Sequence, residues 1–120
     1  EQVDLFTSAA RPRQEKQEKI EAAMDAIRFA YENGKFVAAI CAGPTILASL
    51  GITDGKHATC YPGCEEQMGN TIMEDAAAVT DGKIITGTSA GCAIPFGLQL
   101  IAALKGQEAA DTIAKQIVIR

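Results

Sequence analysis

Five consecutive apolar residues, Phe36 to Ile40, follow the breaker pair Asn33-Gly34 and run directly into Cys41-Ala42-Gly43-Pro44-Thr45. A run of this length suits a buried strand better than a helix. Because the apolar character is continuous rather than alternating, it predicts a strand in a parallel sheet covered on both faces. Gly43 can adopt backbone angles closed to other residues. Pro44, with its fixed φ and missing N–H, suits the first position of a helix. The segment therefore reads as strand, tight turn and helix start, with Cys41 at the junction. A thiol there lies near the unpaired N–H groups and the dipole of a helix N-terminus, which favour a thiolate. This is a nucleophile-elbow arrangement with sulfur in place of the serine hydroxyl. A small buried core cysteine is the alternative, and the elbow context favours the reactive one.

The rest of the chain supplies the surroundings of such an elbow. Its 120 residues and 48% hydrophobic content, without repeats or low-complexity tracts, suit a single globular domain over residues 1–120, with a poorly defined segment at 1–12. Within that segment Val3, Leu5 and Phe6 can form a short strand or a docking segment. From about Arg13 to Glu32 the residues favour helix. Ile20, Met24, Ile27 and Tyr31 form a stripe beside Ala23 and Ala30, and Asn33-Gly34 is the stop. Pro44 to Leu50 is a short helix ended by Gly51, Ala58 to Tyr61 a brief strand halted by Pro62-Gly63, and Cys64 to Met68 a helical turn. Ala76 to Thr80, the turn Asp81-Gly82 and Lys83 to Thr86 read as a hairpin, with a looser loop around Asp-Gly as an equal alternative. Helices are expected from about Cys92 to Leu104, with Pro95 in the first turn, and from Glu108 to Lys115, then a terminal strand Ile117-Val118-Ile119. This alternation points to an α/β sandwich, a mostly parallel sheet between helices.

Charge and cysteine usage narrow the function. A formal net charge of -4, with the basic residues of Arg11 to Lys19 interleaved with Glu15 and Glu18, argues against nucleic-acid partners. No apolar stretch approaches the ~18 residues of a membrane span, and Glu1-Gln2-Val3-Asp4 lacks a signal-peptide layout, so a cytoplasmic protein without a membrane partner is expected. The four cysteines then read as reduced thiols. His57, Cys60 and Cys64, with Cys41 or Cys92, form a conceivable zinc set, but the spacing is irregular and the expectation is no metal.

Ala38-Ala39-Ile40-Cys41-Ala42-Gly43-Pro44-Thr45 resembles the nucleophile segment of the ThiJ/PfpI family, in the class I glutamine amidotransferase-like superfamily. The resemblance continues through Thr59-Cys60-Tyr61-Pro62, Asp81 to Thr88 and the final helices, over roughly residues 20 to 120. It implies a three-layer, flavodoxin-like α/β fold with helices on both faces of the sheet. It also implies Cys41 as nucleophile without a cofactor, acting on small aldehydes or early glycation adducts in a glyoxalase or deglycase reaction. The alternative is a non-catalytic redox-sensing stress protein or chaperone that oxidises the same cysteine. Nearby backbone N–H groups, chiefly that of Ala42 and secondarily that of Gly43, would stabilise an oxyanion, and Tyr61, Pro62, Thr88 and Ser89 would form the pocket rim, with capping of the next turn by Ser89 as the alternative for that hydroxyl.

The chain departs from the family pattern in two places. Many relatives carry His where Tyr61 stands, and a phenol is too weak a base at neutral pH to replace imidazole. His57 would lie ~13 Å from Tyr61 along an extended strand, at a surface or strand-edge position. Relatives also contribute a glutamate from an early strand-loop, which no segment before Cys41 resembles, so the sequence reads as a truncated domain or one that has lost that acid. With few strands to flank Phe36 to Ile40, an uncovered edge or face predicts a homodimer or a marginally stable species.

Overall fold

A computed structural model describes residues 5–7 and 17–117. Its main sheet has four strands in the order β1-β2-β6-β5: β1 (Leu5–Thr7), β2 (Val37–Ile40), β6 (Ile84–Gly87) and β5 (Ala78–Asp81). β1, β2 and β6 are parallel, and β5 joins β6 antiparallel through the hairpin. A second, two-stranded parallel sheet pairs β3 (His57–Ala58) with β4 (Ile72–Met73). The helices are α1 (Gln17–Glu32), α2 (Pro44–Ser49), α3 (Ala93–Lys105) and α4 (Gln107–Gln116). Short 3-10 turns at Glu65–Met68 and Ala90–Cys92 complete the order.

The continuous apolar run has the physical cause expected of it. All four residues of β2 are buried, and their side chains alternate between two cores. Val37 and Ala39 pack with Ile27 of α1, Leu47 of α2, Ile52 and Ile84. Ala38 and Ile40 pack on the opposite face with Ala78, Ile85 and Phe96 of α3. The sheet is therefore the middle of three layers, the flavodoxin-like α/β arrangement, and each large aliphatic side chain it buries contributes roughly 1.5–3 kcal/mol.

Several local expectations shift. Of the α1 stripe, Ile27 is buried and Met24 and Tyr31 half-buried, whereas Ala23 is exposed. Phe36 precedes β2, half-buried, with the Lys83 ammonium 4.0 Å from its ring centre. Asp81 still pairs with Ile84, so the hairpin turn is Gly82-Lys83, one residue later than the Asp-Gly signal suggests. Gly82 takes the positive φ of 62° there. The strand expected over Ala58 to Tyr61 shrinks to His57–Ala58, because β4 is only two residues long and offers no further ladder. The helix expected from about Cys92 begins one residue later, at Ala93, because Cys92 ends the preceding 3-10 turn. Ile117 closes α4 rather than opening a strand, and Val118 and Ile119, like Val3, lie outside the described residues.

Candidate active site at a strand-helix elbow

β2 ends at Ile40, and the next residue, Cys41, has φ 67°, the one positive φ among the described non-glycine residues. The sequence suggested that Gly43 would take the unusual angle. Instead Gly43 is right-handed helical, at φ -56° and ψ -38°. The reason is where the chain bends: the reversal from strand to helix occurs at the strand's last step, and by Gly43 the backbone already follows α2. A left-handed conformation at a residue with a Cβ costs roughly 1–2 kcal/mol, so its neighbours must hold it. The Cys41 N–H donates to the Gly87 carbonyl at 3.0 Å, and the Cys41 carbonyl accepts the Tyr61 N–H at 2.8 Å. Both peptide groups of the hinge are thus pinned, one by β6 and one by the segment after β3.

The two N–H groups expected to face an oxyanion differ. That of Gly43 is committed to the Ile40 carbonyl at 3.0 Å, because a turn this tight closes on itself. That of Ala42 donates to no acceptor among the described residues, while its carbonyl receives both the Thr45 N–H at 3.1 Å and the Thr45 hydroxyl at 2.6 Å. Cys41 is half-buried, against the α3-side core. Among the described residues no carboxylate or imidazole hydrogen-bonds its sulfur.

Tyr61 and Pro62 are exposed beside the elbow. A cavity of about 520 Å³ lies next to them, with Thr59, Cys60, Pro62, Glu65, Thr88 and Cys92 among its walls. Of the four expected rim residues it takes in Pro62 and Thr88, not Tyr61 or Ser89. The Thr88 hydroxyl donates to the Ala76 carbonyl at 2.6 Å and meets the Thr59 hydroxyl at 3.1 Å, so its proton is already committed within the protein. Ser89 is extended, and its carbonyl, not its hydroxyl, accepts the Cys92 N–H at 2.8 Å. That hydroxyl faces the Cys92 sulfur at 3.9 Å.

His57 stands at the other end of the sheet. Its N–H donates to Asp81 Oδ2 at 2.7 Å and its ring Nδ1 meets Glu74, both partners being on the surface side. Asp81 pairs with Ile84, at the start of β6, whereas Cys41 bonds to Gly87 at its end, about 10 Å further along the strand. Among the described residues no three His, Cys, Asp or Glu side chains gather so as to hold a metal ion, so His57, Cys60 and Cys64 do not form the site weighed from spacing. Burial first, then Glu65 and Cys64, push the Cys60 thiol up to about 11, which leaves it protonated at neutral pH. No helix of the described residues is long and apolar enough to cross a membrane.

Two contributors escape the sequence reading, Thr86 and Gly87. Their signal is a hydroxyl and a glycine closing an otherwise apolar strand, Ile84-Ile85-Thr86-Gly87. Thr86 is fully buried and its Oγ1 accepts the Thr59 N–H at 3.0 Å. A Cβ on Gly87 would lie 2.9 Å from Phe96 Cδ1 and 3.0 Å from Ile40 Cγ1, so glycine is what lets the Phe96 ring close over the end of the strand.

The chain is similar to known proteins along most of its length. The DJ-1/PfpI family model matches residues 11–103. Protein dj-1beta of Drosophila melanogaster is 36% identical over 97 residues, 79% of this chain and 52% of that protein. A glutathione-independent glyoxalase of Caenorhabditis elegans is 30% identical over 73% of this chain and 48% of its own length. A deglycase of Pyrococcus horikoshii is 41% identical over 55% of this chain and 41% of its own length. The crystal structure of Drosophila melanogaster DJ-1beta superposes with a TM-score of 0.77 at 29% identity, covering 96% of this chain and 64% of that one. Oxidised Toxoplasma gondii DJ-1 gives 0.74 at 32% identity, covering 81% and 53%. The chain spans about half the length of the curated relatives it matches. With family model, relatives and solved structures in agreement, it belongs to the DJ-1/PfpI family.

Proposed function

We propose that this chain carries the nucleophile of a glyoxalase- or deglycase-type reaction, in which Cys41 adds to the carbonyl carbon of a small aldehyde or glycation adduct. The observation that carries this reading is the left-handed Cys41 at the end of a buried strand, pinned on both sides, with the Ala42 N–H beside it uncommitted among the described residues. As the Sγ–C bond forms, the carbonyl π pair moves onto oxygen, and the Ala42 N–H is the donor available to that developing charge. The reaction needs no metal or organic cofactor at this step. That relatives include a glyoxalase and a deglycase supports the same class.

The test is methylglyoxal consumption by the protein and by Cys41→Ser, which keeps the elbow but exchanges a thiol for a far less acidic hydroxyl. Loss of consumption in the variant is expected. Equal rates would overturn the enzymatic reading. Selective oxidation of Cys41 by dilute peroxide would then favour the redox-sensing role.

A further inference from the structure

Past Ala58 the chain leaves the ladder with β4, yet it remains buried, with Thr59 4% exposed and Cys60 3%. A buried N–H without a strand to pair with is costly to leave unsatisfied, and a side chain supplies what the missing strand does not. Thr86, the one hydroxyl-bearing residue of β6, accepts the Thr59 N–H at 3.0 Å. Two steps further on the same chain, Thr88 donates its only hydroxyl proton to the Ala76 carbonyl at 2.6 Å. The 3.1 Å contact between the Thr59 and Thr88 hydroxyls must then have Thr59 as donor. The Thr88 N–H also donates to the Ala77 carbonyl, at 3.0 Å, which anchors Thr88 itself.

Thr59 is thus gripped twice, through backbone and side chain, by alternate residues of the chain that also holds Cys41 through Gly87. Two residues later, Tyr61 delivers the N–H that pins the Cys41 carbonyl at 2.8 Å. We infer that Thr86 and Thr88 are positioning residues of the Cys41 site, a latch that fixes residues 59–61 and through Tyr61 holds Cys41 in its left-handed conformation. The inference rests on Cys41 being the nucleophile. The latch explains why a fully buried position between Ile85 and Gly87 carries a hydroxyl, where valine would fill the same space without an acceptor.

The experiment follows the alkylation rate of Cys41 by iodoacetamide, peptide by peptide in mass spectra, between pH 5 and 9, with Cys92 as internal reference and urea unfolding measured in parallel. Thr86→Val should lower the Cys41 rate relative to Cys92 by about tenfold, part of the hundredfold that a misplacement of ~1 Å can cost, and change its pH profile. Thr86→Ser, which restores the acceptor, should recover it. Thr88→Val, at a half-buried position more tolerant of change, should act in the same direction. A Thr86→Val or Thr88→Val protein that is less stable yet alkylates at Cys41 with the unaltered rate and pH profile would overturn the latch. Because thiol alkylation is the readout, methylglyoxal consumption that proves independent of Cys41 removes the proposed reaction without touching this result.

Discussion

Replacing Gly87 by alanine tests how the elbow is supported. The backbone there is compatible with alanine, so the cost comes from contact: the added Cβ falls 2.9 and 3.0 Å from Phe96 Cδ1 and Cγ and 3.0 Å from Ile40 Cγ1. Phe96 is 3% exposed and Ile40 9%, and neither presents the loose end of a flexible chain. Overpacking of this kind costs about 1–3 kcal/mol, against which the reduced backbone entropy of alanine returns ~0.5–1 kcal/mol. A net loss of about 1–2 kcal/mol, with a urea slope of roughly 1.5 kcal/mol per M, moves the unfolding midpoint down by about 1 M. The ring of Phe96 is the principal obstacle, so Gly87→Ala and Phe96→Leu should be non-additive. The double variant should be more stable than the sum of the single losses by about 1 kcal/mol. Alkylation of Cys41 should also slow in Gly87→Ala, since the Gly87 carbonyl holds the Cys41 N–H. A midpoint shift below about 0.3 M, or strict additivity with Phe96→Leu, would refute the close-approach reasoning.

Two further outcomes follow from the site. The Cys60 thiol rises from 9.0 to about 11 in the folded protein, chiefly through burial. Above pH 9 the unfolded chain therefore loses this proton while the folded one keeps it, and stability falls between pH 9 and 11. Chemical denaturation against pH should show that decline in the parent protein and a shallower one in Cys60→Ala, and equal slopes would refute it. His57→Ala breaks an exposed pair with Glu74 worth ~0–1 kcal/mol. It should leave methylglyoxal consumption unchanged, whereas a loss matching that of Cys41→Ser would bring His57 into the reaction.

Sequence alone determined the elements whose cause is local. Continuous apolarity from Phe36 to Ile40 specified a doubly covered strand, and Pro44 the helix start after it. Asn33-Gly34 ended α1, and Ile84-Ile85 marked the second buried strand. The resemblance around Cys41 extended this to the family and its flavodoxin-like fold. These features depend on periodicity and turn chemistry within a few residues, which a chain displays before it folds.

Tertiary structure decided how the site is held. Whether Cys41 or Gly43 takes the positive φ depends on where β2 stops, and that is set by its register on β6. Withdrawal of the Gly43 N–H, and the lack of an acceptor for the Ala42 N–H among the described residues, follow from the closed turn. His57 is kept from Cys41 because β3 places it at the start of β6 while the thiol sits at its end. The latch joins Thr59 to residues 86 and 88, 27 and 29 positions away, and no periodicity within one segment encodes such a pairing. The sequence supplied a thiol at a hinge, and packing the segment 59–61 against β6 made that hinge a fixed one.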